Sequence, residues 1–234
     1  MAIIIATLGQ KGGSGKSMLC RALAVELARK RKTVVVADLD IGQRTVTEWA
    51  QAREANRIKP DVRVETVDPD DEPDFRIPEL SEGVDYVLCD APGWSDDLTL
   101  QLGTAADFLV IPSEPSTDDM RPTIRAYREL TKAGIEPERI AIVLNRVSSD
   151  AEVTFARGYF KQAGVELLNV ELPDQPSYRK AANVGQAATE VHGAPQARAA
   201  AVVTALLKAV ERVKKRAKPR QQSLRFKMKD GETW

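Results

Sequence analysis

The chain reads as one α/β domain, a twisted and mostly parallel sheet with helices on both faces. Three observations predict this class. Short apolar runs alternate with longer stretches of helical period along nearly the whole sequence. Most of those runs lack polar alternation, as strands covered on both faces do. The first run passes through a glycine cluster straight into a helical stretch, the strand–turn–helix order of such sheets.

Taken in order, the candidate strands are "AIIIATL" (2–8), "TVVVADL" (33–39), "VRVETV" (62–67), "YVLCDA" (86–91), "FLVIP" (108–112), "IAIVLN" (140–145) and "VELLNV" (165–170). The helical stretches between them are 17–30, 46–56, 120–133, 150–163 and 196–216. The proline- and acid-rich segment "DPDDEPDFRIPELSEG" (68–83) reads as a surface excursion with at most a short helix. Pro219 is expected to end the last helix, so the domain is assigned to 1–215 and a basic tail to 216–234.

Composition sets the limits on function. The 234 residues suffice for one sizeable core, and 43% hydrophobic with 29% charged residues is an ordinary globular balance. With 34 basic and 34 acidic residues the net charge is zero, so attraction to a polyanion must come from local clustering. Cys20 and Cys89 stand in no metal-spaced pattern, which argues against a disulfide framework or a zinc site and fits a reducing cytosol. The apolar run 2–8 is too short for a signal peptide or a membrane span.

The chemistry is concentrated in "TLGQKGGSGKSML", 7–19. A phosphate-binding loop needs glycines that let backbone N–H groups turn inward, a lysine for the terminal phosphates, and a hydroxyl for magnesium. Gly12, Gly13 and Gly15 with Ser14 and Met18 supply the cradle, and Lys16 and Ser17 supply the other two parts. The spacing from Gly9 to Gly15 is one residue longer than the usual template, and Lys11 is an additional cation.

"KGGSGKS" (11–17) resembles the deviant Walker A motif of the ParA/MinD family of ATPases at every position. Two further stretches resemble the same family in order and spacing. "VVVADLDIGQRTVTEW" (34–49) is similar to its D-x-D motif, and "DYVLCDAPGW" (85–94) to its Walker B strand and exit turn. The resemblance reaches to about residue 215. It implies ATP and Mg2+ as cofactors, Asp40 positioning the attacking water, Asp38 supporting the magnesium shell, and Asp90 holding magnesium through water. It implies that the turn 91–94 senses the γ-phosphate. It also implies adenine contacts from "LNRV" (144–147), through Asn145 and Arg146, and from "ELPDQPSYRKA" (171–181), with Pro173 nearest the ring.

Lys11 is the residue that separates this family from other phosphate-loop proteins. By resemblance it reaches the phosphates of a second subunit, so ATP joins two copies into a homodimer and hydrolysis releases them. The catalytic set is then Lys11, Lys16 and Asp40, with weak hydrolysis unless a partner protein stimulates it.

The tail points to the target. From 208 to 229 there are ten cations, including Lys208, Arg212, Lys214, Lys215, Arg216, Lys218 and Arg220, against the single acid Glu211. Such a cluster binds nonspecific DNA by releasing counterions. The expectation is a nucleoid-associated, cytoplasmic partition ATPase similar to the small plasmid-type ParA proteins, with a separate DNA-binding adaptor. No DNA-reading segment precedes the first strand, and Trp49 resembles a tryptophan of those small proteins.

A MinD-like membrane role is the alternative. "DIGQR" is closer to MinD, and "LRFKMK" (224–229) alternates apolar residues with cations, although with period two rather than helical period. A relative of the nitrogenase iron protein would need cluster-ligating cysteines. Cys20 and Cys89 are expected to be buried packing residues, and His192 a turn residue without a catalytic role.

Overall fold

The computed structural model describes all residues except 1, 10, 69–72, 94–95 and 217–234. Six parallel strands form one sheet: β1 (Ile3–Thr7), β2 (Val34–Asp38), β3 (Arg63–Thr66), β4 (Tyr86–Asp90), β5 (Phe108–Ser113) and β6 (Ile140–Leu144), in the spatial order β3-β2-β4-β1-β5-β6. The helices are α1 (Lys16–Arg29), α2 (Thr45–Ala55), α3 (Pro73–Leu80), α4 (Asp96–Ala105), α5 (Thr117–Lys132), α6 (Asp150–Gln162), α7 (Pro176–Asn183) and α8 (Ala194–Arg216).

Alternation along each strand feeds two separate cores. Ile3 and Ile5 of β1 face a layer built from α1, α2, α7 and α8, through residues such as Leu23, Trp49, Tyr178 and Leu206. Ile4 and Ala6 face the other layer, which holds Leu102 of α4, Met120 and Leu130 of α5, and Phe160 of α6. Because helices cover both faces, the strands stay apolar throughout, which is why they read as unbroken runs.

The order of strands reverses direction around β1. The chain leaves β1 towards β2 and β3 on one side, returns to β4, then proceeds to β5 and β6 on the other side. A crevice therefore opens at the C-terminal ends of β1 and β4, where ligands of open α/β sheets bind.

The expected seventh strand does not form. Over 165–170 the chain makes one isolated bridge, Ile142 to Leu167, with Leu168 N–H donating to the Ile142 carbonyl at 2.8 Å. Leu167 packs into one core while Leu168 and Val170 pack into the other, so this segment closes the sheet edge without a ladder. Two short helices, α4 and α7, had no counterpart among the expected helical stretches, and α3 lies within the 68–83 excursion.

Candidate functional site

Register places three polar side chains in a row at the crevice. Thr7 of β1 pairs across with Asp90 of β4, and Asp90 pairs in turn with Asp38 of β2. Thr7 Oγ1 donates to Asp90 Oδ1 at 2.9 Å, and the Ser17 hydroxyl favours the charged form of the same carboxylate. Asp90 is buried, and its Oδ2 has no protein partner. Desolvation pushes its carboxyl up to about 6, only partly offset by the Ser17 and Thr7 hydrogen bonds.

Above this row lies the glycine loop. Gly15 takes a left-handed φ of 106° and starts α1 with no side-chain cap, so the first amides of the helix are open to an anion. A Cβ at Gly15 would stand 2.1 Å from Asn145 Nδ2, so the position admits only glycine. Asn145 Nδ2 donates to the Ser14 carbonyl at 2.6 Å, which ties the end of β6 to the loop.

Lys16 is buried and curls back over the loop. Its Nζ donates to the Lys11 carbonyl at 3.0 Å and reaches the Gly9 carbonyl at 3.5 Å. Burial lowers its pKa from the ordinary lysine value, while Asp90 and Asp40 oppose that shift. These carbonyls are weak partners for an ammonium, and a phosphate would replace them readily.

The two acids after β2 differ in their surroundings. Asp38 is fully engaged: Oδ2 accepts from the Thr47 N–H at 2.9 Å and the Thr47 hydroxyl at 2.8 Å, and Oδ1 accepts from the Asp40 N–H at 3.2 Å. It therefore fixes the start of α2 and the loop carrying Asp40. Asp40 lines the cleft, half-buried, with Oδ1 accepting from the Gln43 N–H at 3.0 Å.

The cleft has a volume of about 680 Å³ and is bounded by the loop, the face of α2 with Trp49, and the face of α7 with Tyr178. Gly12, Gly13, Gly15, Lys16, Ser17, Met18, Asp40, Asn145, Arg146 and Pro173 all line it. Ser14, Asp38 and Asp90 lie beneath that lining, all buried. Arg146, in a left-handed conformation, is held by Glu114 at 2.7 Å. Lys11 stands apart at the rim, half exposed, with its ammonium 3.2 Å from Asp119 Oδ1 on α5.

Lys208, Arg212, Lys214, Lys215 and Arg216 lie exposed on the last turns of α8, and none of them lines the cleft. Lys218 and Arg220, the segment 224–229, and Trp94 of the expected sensing turn lie outside the described residues. Cys20 and Cys89 are buried packing residues, and burial pushes the Cys89 thiol up to about 12.

Sequence reasoning did not find Thr7, Thr47 or Arg21. Arg21 lines the cleft one helical turn after Ser17, and its Nε donates to the Ser17 carbonyl at 3.0 Å. Its i+4 spacing from Ser17 was the available signal. The two threonines became visible only through strand register and the packing of α2.

The family model of the CobQ/CobB/MinD/ParA nucleotide binding domain matches residues 5–188. The chromosome partitioning protein ParA of Myxococcus xanthus (strain DK1622) is 26% identical over 229 residues, covering 76% of this chain and 79% of the relative. Among solved structures, the cell division ATPase MinD of Pyrococcus furiosus is similar with a TM-score of 0.69 and 20% identity, over 91% of this chain and 100% of that one. The McdA–ATP complex of Cyanothece gives a TM-score of 0.70 and 18% identity, over 88% and 96%. The loop, the buried acids and these likenesses agree, and the chain belongs to the CobQ/CobB/MinD/ParA nucleotide-binding family.

Proposed function

We propose that this protein is an ATP-hydrolysing partition switch that dimerises around ATP and, as a dimer, holds nonspecific DNA. The observation that carries the reading is the placement of Lys11. The cleft has its own lysine, Lys16, its own open helix amides and its own magnesium-side residues, and Lys11 does not line it. Half exposed and paired with Asp119 at 3.2 Å, Lys11 would exchange that carboxylate for a phosphate of a facing subunit.

The residues fit ATP with magnesium. The amides of 12–17 and Lys16 would hold the phosphates, Ser17 the metal, and Asp90, with its orphan Oδ2, the metal's water shell. Asn145 is tied to the loop beside Pro173 and Met18 on the expected base side. Bound magnesium neutralises phosphate charge during transfer. Asp40 would orient a water, and Asp38 would hold it there by accepting the Asp40 N–H while Thr47 ties the same carboxylate to α2. A second subunit's Lys11 would add the remaining cation, which makes hydrolysis a property of the dimer. The ParA name of the Myxococcus relative supports a partition role, and the exposed cations ending α8 support a DNA target.

Lys11→Ala is expected to bind ATP, because Lys16 remains, yet to stay monomeric and fail to hydrolyse it. Sedimentation velocity with ATP and magnesium checks this, and normal ATP-driven dimerisation of the variant would sink the reading. Co-sedimentation with plasmid DNA or anionic liposomes, under ATP, ADP or neither, tests the target. Binding confined to liposomes would transfer the assignment to a MinD-like membrane role.

A further inference from the structure

The sheet face opposite α8 carries a second cationic surface that the tail reading did not include. Arg121, Arg125, Arg128 and Lys132 are all exposed on α5. At about 100° per residue, their spacings of four, three and four place them within a wedge of about 60°, and the 1.5 Å rise spreads them over about 16 Å of helix. Together with Tyr159 of α6 they line a groove of about 470 Å³. We propose that this stripe is a binding surface for the phosphate backbone of duplex DNA, separate from the cations of α8; the inference rests on the partition reading above.

The stripe is short of counter-charge. Among the described residues, one carboxylate lines the groove, Glu129, which stands 3.7 Å from Arg125 Nε. Arg128 otherwise reaches a carbonyl, that of Ala163, at 3.5 Å. The chain is neutral overall, so this local excess does not follow from composition.

The chemistry of the stripe favours phosphate over an acidic peptide. Three of the four cations are arginines, whose planar forks match phosphate oxygens in pairs. A peptide partner would call for a deep apolar anchor pocket, where binding energy concentrates. The groove instead offers a buried Ile124 and a half-buried Tyr159, with charge along its length. A straight row of cations suits a polyanion that presents charge every few ångströms.

The position adds a consequence. Met120, Ile124 and Leu130 of α5 pack on one face of the sheet, whereas Val202, Leu206 and Val210 of α8 pack on the other. One subunit therefore offers cations on both sides, and two duplex segments can be held at once.

The test is a salt titration of a labelled 30-bp duplex with the full-length protein, ATP and magnesium. Three proteins are compared: the native chain, the triple variant Arg121→Gln, Arg125→Gln, Arg128→Gln, and the α8 variant Lys214→Gln, Lys215→Gln, Arg216→Gln. Glutamine keeps helix propensity, and ATP-driven dimerisation and basal hydrolysis of the stripe variant should match the native chain. Each phosphate contact adds about 0.9 to the salt slope, so the stripe variant should lose between about two and three from the slope and bind about a hundredfold more weakly at 100 mM salt. An unchanged slope and affinity in the stripe variant, with loss confined to the α8 variant, overturns the stripe and leaves the partition reading intact. Failure of the native chain to bind duplex in any nucleotide state defeats both. Tighter binding of the native chain to poly-glutamate than to duplex also overturns the assignment to phosphate.

Discussion

Asp90 sits at the floor of the cleft with a charge that burial opposes, and its folded-state pKa rises from 3.8 to about 6. At about 1.4 kcal/mol per pH unit, keeping it ionised at neutral pH costs on the order of 2–3 kcal/mol. The sign follows from the direction of the shift. Below about pH 4 the group is protonated in both states and costs nothing; the cost builds between about pH 4 and 6, where only the unfolded state is ionised, and is constant above that. Asp90→Asn removes the charge yet can still accept from Thr7, so without nucleotide the variant should be more stable than the native chain at pH 7 and equal to it near pH 4. Urea denaturation at the two pH values checks this; a stability difference that does not change with pH would show that burial is not the cause. Such a cost is what the proposed magnesium-side role of Asp90 would call for.

The helices position the site through contacts that run far along the chain. Arg53 of α2 is almost wholly buried and donates to both oxygens of Glu190, at 2.6 and 3.0 Å, and to the carbonyls of Pro60 and Gly185. Its guanidinium also lies 5.3 Å from the Trp49 ring, so this one side chain locks the helix that begins after Asp40. Gly185 approaches so closely that a Cβ there would stand 2.2 Å from the backbone nitrogen of Arg53. Arg53→Ala would leave the buried Glu190 carboxylate with Arg29 and the Ala187 N–H as its remaining partners, and is expected to cost about 3–5 kcal/mol, read as a lower urea midpoint. A loss below about 1 kcal/mol would mean that the pair merely fills space. This clamp marks the limit of what the sequence discloses. The strands and the loop "KGGSGKS" were legible because apolar runs and glycine spacing are local patterns. Six of seven expected strands formed, and the phosphate-loop residues came together around one cleft. The Arg53–Glu190 pair spans 137 positions, and the Asp38–Thr47 bond depends on how α2 packs, so neither leaves a periodic trace. The missing strand failed for a related reason: an apolar run at a sheet edge can serve two cores instead of a ladder.

At the scale of the whole molecule, nucleotide binding and assembly should be separable by heat. A ligand that binds only the folded state stabilises it by about 2.7 kcal/mol at a hundred times its dissociation constant. For a domain of this size each kcal/mol raises the melting temperature by roughly 2–4 °C, so saturating ATP with magnesium should shift it by about 5–10 °C. If the bound form were a monomer, that shift would not depend on protein concentration. In the proposed ATP-joined dimer each subunit would complete the other's site, so mass action would add a second term that grows with protein concentration. Lys11→Ala retains the cleft, with Lys16 and the open amides of α1, and should keep the first term while losing the second. Differential scanning calorimetry over a fiftyfold range of protein concentration distinguishes the two. The native chain should melt progressively higher with concentration in ATP but not in ADP, and the variant should melt at one temperature throughout. A concentration-dependent shift that persists in Lys11→Ala would mean that the subunits meet through another surface, and that the rim lysine serves its own cleft.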